Sequence, residues 1–150
     1  MTQTDPPMID SYDPRVHPAQ LVRRVHQRAA QLFTQSVRWP NLSATQFVAL
    51  VTLLKNGPMT LSQLGRLTSM DPATTTVVVR KLVKDRLIEK ARSETDLRAA
   101  VISLTSRGES CAREHVPVSV AAGDSLLAPL TERERRQFMA LLAKLLPDQN

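Results

Sequence analysis

The chain has 150 residues, 42% of them hydrophobic, and a formal net charge of +6. That is one domain's worth of chain, with an excess of positive charge that suits a polyanionic partner. A lone cysteine, Cys111, excludes an internal disulfide framework and fits a reducing cytoplasm, and no apolar run reaches membrane-spanning length, so no membrane partner is expected.

Residues 1–17 hold Pro6, Pro7 and Pro14 and few apolar groups. They predict a flexible arm with a turn at Asp13-Pro14. Pro18 suits a helix start, and Leu21, Val22, Val25, Ala29, Leu32, Phe33 and Val37 keep helical spacing up to the break at Trp39-Pro40-Asn41. A second helix opens at Ser43 with Gln46 in the capping-box position and Leu42 and Phe47 as a staple, and Gly57-Pro58 stops it. Thr60 and Gln63, flanked by Met59 and Leu64, repeat the device for a short third helix ending near Ser69. Asp71 caps a fourth helix, with Pro72 at its first position and Leu82 and Val83 pointing inward near its end.

Alternating residues follow: Ile88, Lys90 and Arg92 on one arm, Ala100, Ile102 and Leu104 on the other. They predict a hairpin with 93–98 at its tip. A fifth helix spans Thr105 to about Leu127, with Pro117 and Gly123 predicted to bend or split it. Thr131 and Glu134 cap a final helix whose Phe138, Leu141, Leu142, Leu145 and Leu146 form one stripe.

Two short helices and a charged hairpin in this order read as a winged helix-turn-helix, a mainly α fold with a small β-wing. Its second helix is suited to a DNA major groove. The Asp71-Pro72-Ala73 start offers free N–H groups to a phosphate. Thr74 and Thr76 can meet base edges, Arg80 can pair with guanine or phosphate, and Thr75 is assigned to packing. Arg98 at the wing tip suits a minor groove, with Asp96 orienting it. Lys90 and Arg92 suit phosphate contacts, and Arg86 adds a cation beside the DNA.

Leu42-Ser43-Ala44-Thr45-Gln46-Phe47-Val48-Ala49-Leu50, Thr60–Leu64, Met70-Asp71-Pro72, Thr74-Thr75-Thr76, Leu82, Leu87-Ile88, Asp96-x-Arg98 and Leu104-Thr105-x-x-Gly108 together resemble the MarR family of transcriptional regulators. The resemblance spans roughly residues 18–146. It implies a homodimer, a palindromic double-stranded operator, and a small-molecule effector pocket between the dimerisation helices and the DNA-binding lobe. The regulators of nicotinate or related aromatic-acid catabolism are the branch it resembles, which implies an aromatic or heteroaromatic acid as effector and repression as the mode. The implied division is 18–41 and 105–150 for dimerisation and 42–104 for DNA binding, within one compact domain. Two departures stand out. Arg86 replaces a frequent Gly, which puts a left-handed cap there in doubt, and Gly65 replaces Ala, which should loosen the third helix by about 1 kcal/mol.

Arg15, His17, Arg23, His26, Trp39 and Phe47 lie on or near the first two helices and are the candidate effector residues. An arginine with an aromatic neighbour can hold an aromatic carboxylate. No catalytic motif is present, so no enzyme and no cofactor is expected. Cys111 and His115, at i and i+4, are too few for a zinc site. Two alternatives remain: a winged-helix protein-interaction module without DNA binding, and a thiol-based redox regulator using Cys111.

Overall fold

Proline placement shapes the beginning of the chain. A computed structural model describes residues 6–92, 94–95 and 99–147. α1 (Pro6–Ser11) is helical where the composition predicts a loose arm. Its two prolines occupy the first turn, the one place in a helix where a missing N–H costs nothing. The turn at Asp13-Pro14 is present, closed by the Val16 N–H donating to the Asp13 carbonyl at 3.3 Å. α2 (Pro18–Ser36) starts at Pro18, and His17 caps it: its Nδ1 accepts from the Ala19 N–H at 3.3 Å. Phe33 is its only buried residue, while Leu21, Val22 and Val25 stay exposed.

α3 (Ala44–Asn56), α4 (Leu61–Thr68) and α7 (Glu132–Leu145) each open with the reciprocal box read from the sequence, at Ser43/Gln46, Thr60/Gln63 and Thr131/Glu134. The staple residues Leu42, Phe47, Met59 and Leu64 are all buried. A strand the sequence did not announce, β1 (Met59–Thr60), precedes α4. It pairs with β3 (Ala100–Leu104), which also pairs with β2 (Ile88–Arg92), so the sheet order is β1-β3-β2 and both pairings are antiparallel. The register Ile88↔Leu104 through Arg92↔Ala100 matches the predicted hairpin.

α5 (Pro72–Lys84) packs against α4 beside Gly65. A Cβ at Gly65 would stand 3.0 Å from Thr75 Oγ1 and 3.1 Å from the Met70 carbonyl. An added Cβ would make these neighbours give by a few tenths of an ångström, so the glycine eases a close approach of the two helices, beyond the loosening predicted from propensity alone. α5 buries Thr75, Val78, Val79 and Leu82. Val83, expected inside, is exposed, because the inward stripe ends at Leu82.

The end of α5 departs from expectation at Arg86. The residue is left-handed, φ 58°, despite its side chain. Its N–H reaches the Val83 carbonyl and the Leu87 N–H reaches the Leu82 carbonyl, the paired bonds of a Schellman stop, with Leu87 fully buried behind it. Burial of Leu87 and these bonds hold a conformation that costs a non-glycine residue about 1–2 kcal/mol. Arg86→Gly should therefore raise stability by about 1 kcal/mol in denaturant unfolding. No gain would mean that the arginine side chain makes a compensating contact.

α6 (Ser106–Leu127) runs unbroken through Pro117 and Gly123, so the predicted split does not occur. Cys111, Ala112, His115 and Ala122 are buried on both sides of Pro117, and that continuous stripe outweighs one missing N–H. Its N-terminus is knotted to the junction of α5 and β2. The Thr105 N–H donates to the Leu87 carbonyl (3.1 Å), the Thr105 hydroxyl donates to the Arg86 carbonyl (2.8 Å), and that hydroxyl oxygen accepts from the Gly108 N–H (3.0 Å). At the other end Arg135 Nε of α7 donates to the carbonyls of Leu127 (3.1 Å) and Leu130 (3.2 Å). α7 buries no residue of its own. Among the described residues no helix is long and apolar enough to cross a membrane.

Candidate nucleic-acid interface

The buried stripe of α5 defines its opposite side. At about 100° per residue, Ala73, Val77, Arg80 and Lys84 lie along the line facing away from Thr75, Val78, Val79 and Leu82. All four are exposed, with Thr76 exposed on one flank. Thr75 is buried, as assigned, and its hydroxyl donates to the Asp71 carbonyl at 2.9 Å. Sequence reasoning named Ala73, Thr76 and Arg80 but missed Val77 and Lys84. The same helical spacing would have found them once the inward residues were fixed.

The helix start is already filled. Asp71 accepts from the Thr74 N–H and the Thr74 hydroxyl, both at 2.8 Å. Those two bonds, the backbone one first, hold the Asp71 carboxyl below the usual carboxylate range. An ionised carboxylate thus occupies the seat predicted for a phosphate at Asp71-Pro72-Ala73 and repels a second anion. Thr74 is half-buried and its proton is committed to that cap. The Thr76 hydroxyl donates to the Pro72 carbonyl at 2.9 Å, leaving its oxygen and methyl free to face outward.

On the wing, Lys90 and Arg92 are exposed on β2 and share the face of Ile88, as alternation requires. Arg86 is exposed at the junction of α5 and β2. Asp96 and Arg98 lie outside the described residues.

The six effector candidates do not form one site. Arg15 is fully exposed and engaged by Asp13, Nη2 to Oδ2 at 2.9 Å. His17 caps α2 and faces Tyr12 with ring centroids 5.7 Å apart. Arg23 and His26 are exposed on α2. Phe47 is a core residue, 5.0 Å from Phe33 between ring centroids, so it is corrected from ligand contact to packing. Trp39 lines a cleft. Two adjoining clefts of about 370 and 400 Å³ meet at Trp39, Pro40 and Asn41. Arg107 lines the first and stands 4.7 Å from the centroid of the Trp39 ring. Arg38 and Lys81 line the second, and Lys81 Nζ donates to the Asn41 carbonyl at 3.0 Å. Arg38, Lys81 and Arg107 were not candidates: Arg38 lies in the same loop as Trp39, and Lys81 of α5 and Arg107 of α6 reach that loop only when the chain folds.

Cys111 is buried. Burial, then the Glu114 charge, against an opposing pull from Arg107, pushes its thiol up to about 11. A thiol so raised carries little thiolate at neutral pH, which weighs against the redox alternative. Alkylation at pH 8 should be about a hundredfold slower in the folded protein than in denaturant. Equal rates would revive that alternative. His115 donates from Nδ1 to the Cys111 carbonyl at 2.8 Å, an intrahelical bond of a structural histidine. Among the described residues no three His, Cys, Asp or Glu side chains gather to hold a metal.

Helix-turn-helix, three-stranded wing and an outward cationic recognition helix define a winged-helix transcriptional regulator. Comparison with known proteins gives the family. The MarR family model matches residues 42–100. The chain is 28% identical to the HTH-type transcriptional repressor NicR of Pseudomonas putida over 90% of this chain and 85% of NicR. It resembles the crystal structure of a probable transcriptional regulator from Pseudomonas aeruginosa, with a TM-score of 0.82 and 34% identity over 89% of this chain and 100% of that one. It also resembles BpsR of Bordetella bronchiseptica, with a TM-score of 0.78 and 30% identity over 85% of this chain and 96% of that one. The chain belongs to the MarR family of transcriptional regulators.

Proposed function

We propose that the protein is a cytoplasmic homodimeric repressor that holds a palindromic operator and releases it when a small aromatic or heteroaromatic acid binds. The outward line of α5, carrying Arg80 and Lys84 beside small side chains, is the observation that carries this reading. Residues 42–104 supply the DNA-binding lobe. Pro72, Ala73, Thr74, Thr76 and Arg80 face or flank the groove. Arg86, Lys90 and Arg92 take phosphates, and Asp96 and Arg98 are assigned to the minor groove. Residues 18–41 and 105–150 supply the dimer. Two features support that assignment: α2, α6 and α7 leave Val22, Val120, Met139 and Leu145 exposed, and α7 has no core of its own. A two-fold axis would set the recognition helices about 34–36 Å apart.

NicR is named as a repressor, and the DNA binding of BpsR is regulated by 6-hydroxynicotinic acid. For this chain we assign the effector to the Trp39 corner, where the Trp39 ring and the Arg107 and Arg38 cations offer stacking and charge to a single-ring carboxylate.

A mobility shift with DNA from upstream of the protein's own gene, against random duplex at equal salt, tests the reading. The wild type should prefer the upstream duplex. Arg80→Ala and Arg98→Ala should each weaken it several-fold while the dimer persists. 6-Hydroxynicotinate and benzoate derivatives should be screened by thermal shift, and a hit that raises the melting point should also release the duplex. A folded dimer that prefers no genomic duplex would refute the proposal in favour of a protein-interaction module.

A further inference from the structure

Val77 is 62% exposed, the most exposed large apolar side chain among the described residues of the 42–104 lobe. It stands on the outermost line of α5, one turn after Ala73 and three residues before Arg80. The neighbouring threonines have committed their protons: Thr74 to Asp71 and Thr76 to the Pro72 carbonyl. What this strip presents outward is therefore methyl groups from Ala73, Thr76 and Val77, with the Thr76 oxygen as an acceptor on the flank and the guanidinium of Arg80 at the end. In a major groove the one apolar feature that distinguishes a base pair is the thymine 5-methyl.

We infer that Val77 is a specificity-determining residue that reads the 5-methyl of a thymine in each half-site, beside the base contacted by Arg80. The inference rests on the DNA-binding reading above and deepens it. Residues three apart on a helix have Cβ atoms about 5–6 Å apart, less than two base steps of about 3.4 Å. The thymine therefore lies within two steps of a guanine. Valine has no donor or acceptor, so the contact discriminates by burying one methyl group against another. Removing the thymine methyl should cost about fourfold in affinity per half-site, the worth of one buried carbon, and about fifteenfold when both half-sites are changed.

The test starts from duplexes enriched by the wild-type protein from a random-sequence library. Each thymine is then replaced in turn by deoxyuridine, which deletes the methyl and nothing else. The wild type should lose about fourfold at one thymine per half-site. Val77→Ala, with a melting point and dimer matching the wild type, should bind the thymine and deoxyuridine duplexes equally while still discriminating at the guanine. If no thymine is methyl-sensitive, or if Val77→Ala keeps the full sensitivity, the inference is overturned although DNA recognition stands. If the wild type enriches no sequence at all, the DNA-binding reading falls and takes this inference with it.

Discussion

Gly108→Ala should destabilise the protein by about 3 kcal/mol or more. A Cβ at this position would land on the Leu87 carbonyl, with the Leu104 side chain 3.2 Å away on another side. The Leu104 side chain can shift, but the Leu87 carbonyl cannot. The Leu87 carbonyl is held by the Thr105 N–H, and Leu87 is fully buried against the end of α5. Making room means lifting the start of α6 off the lobe and breaking the Thr105 knot. The melting midpoint should fall by about 6–12 °C for a chain of this size. Gly123→Ala is the matched control. It lies in the same helix with nothing within 4 Å of its added Cβ, and should stabilise by about 0.5–1 kcal/mol. Equal effects of the two substitutions would show that helix propensity, not contact, governs these positions.

Leu141→Asp combined with Leu145→Asp should leave a monomer of 16.7 kDa with operator affinity lowered at least about a hundredfold. Leu141 and Leu145 are one turn apart on α7, both exposed, and the helix buries nothing within its own protomer. An apolar stripe of that kind has little to gain from folding alone and much to gain from a second copy. Each half of a palindrome held by one lobe is a weak site, and linking the lobes makes the second contact intramolecular. Sedimentation and a binding titration read both parts of the expectation. A variant that remains dimeric and binds normally would remove this stripe from the interface.

The legible parts of the fold are those set by local chemistry. Ser43, Thr60 and Thr131 each bond a backbone N–H three residues on, so sequence spacing alone reveals them. β1 was hidden because two residues have no period, and only the distant partner β3 makes Met59 and Thr60 a strand. Pro117 misled because its local cost is plain in sequence while the buried stripe that absorbs it is not. Arg86 misled similarly: the left-handed turn is imposed by Leu87 and the bonds around it, against the preference of the residue itself. At the recognition helix the residue types were readable but not their engagements, so Thr74 looked free and Asp71 looked like a phosphate seat. The cleft around Trp39 was hardest to read, since Lys81 of α5 and Arg107 of α6 reach the loop of Arg38 and Trp39 only through the fold.

Arg135 has a reach well beyond its own corner. Its guanidinium pins the last turn of α6 to the first turn of α7 by two carbonyls, and nothing buried on α7 shares that duty. In the proposed dimer, the angle at which the terminal rod leaves the body fixes where the two-fold axis runs. In that dimer a single cation on α7 would act as the gauge for the span between two distant reading heads, and for how much stretch or slack in a palindrome the regulator would tolerate.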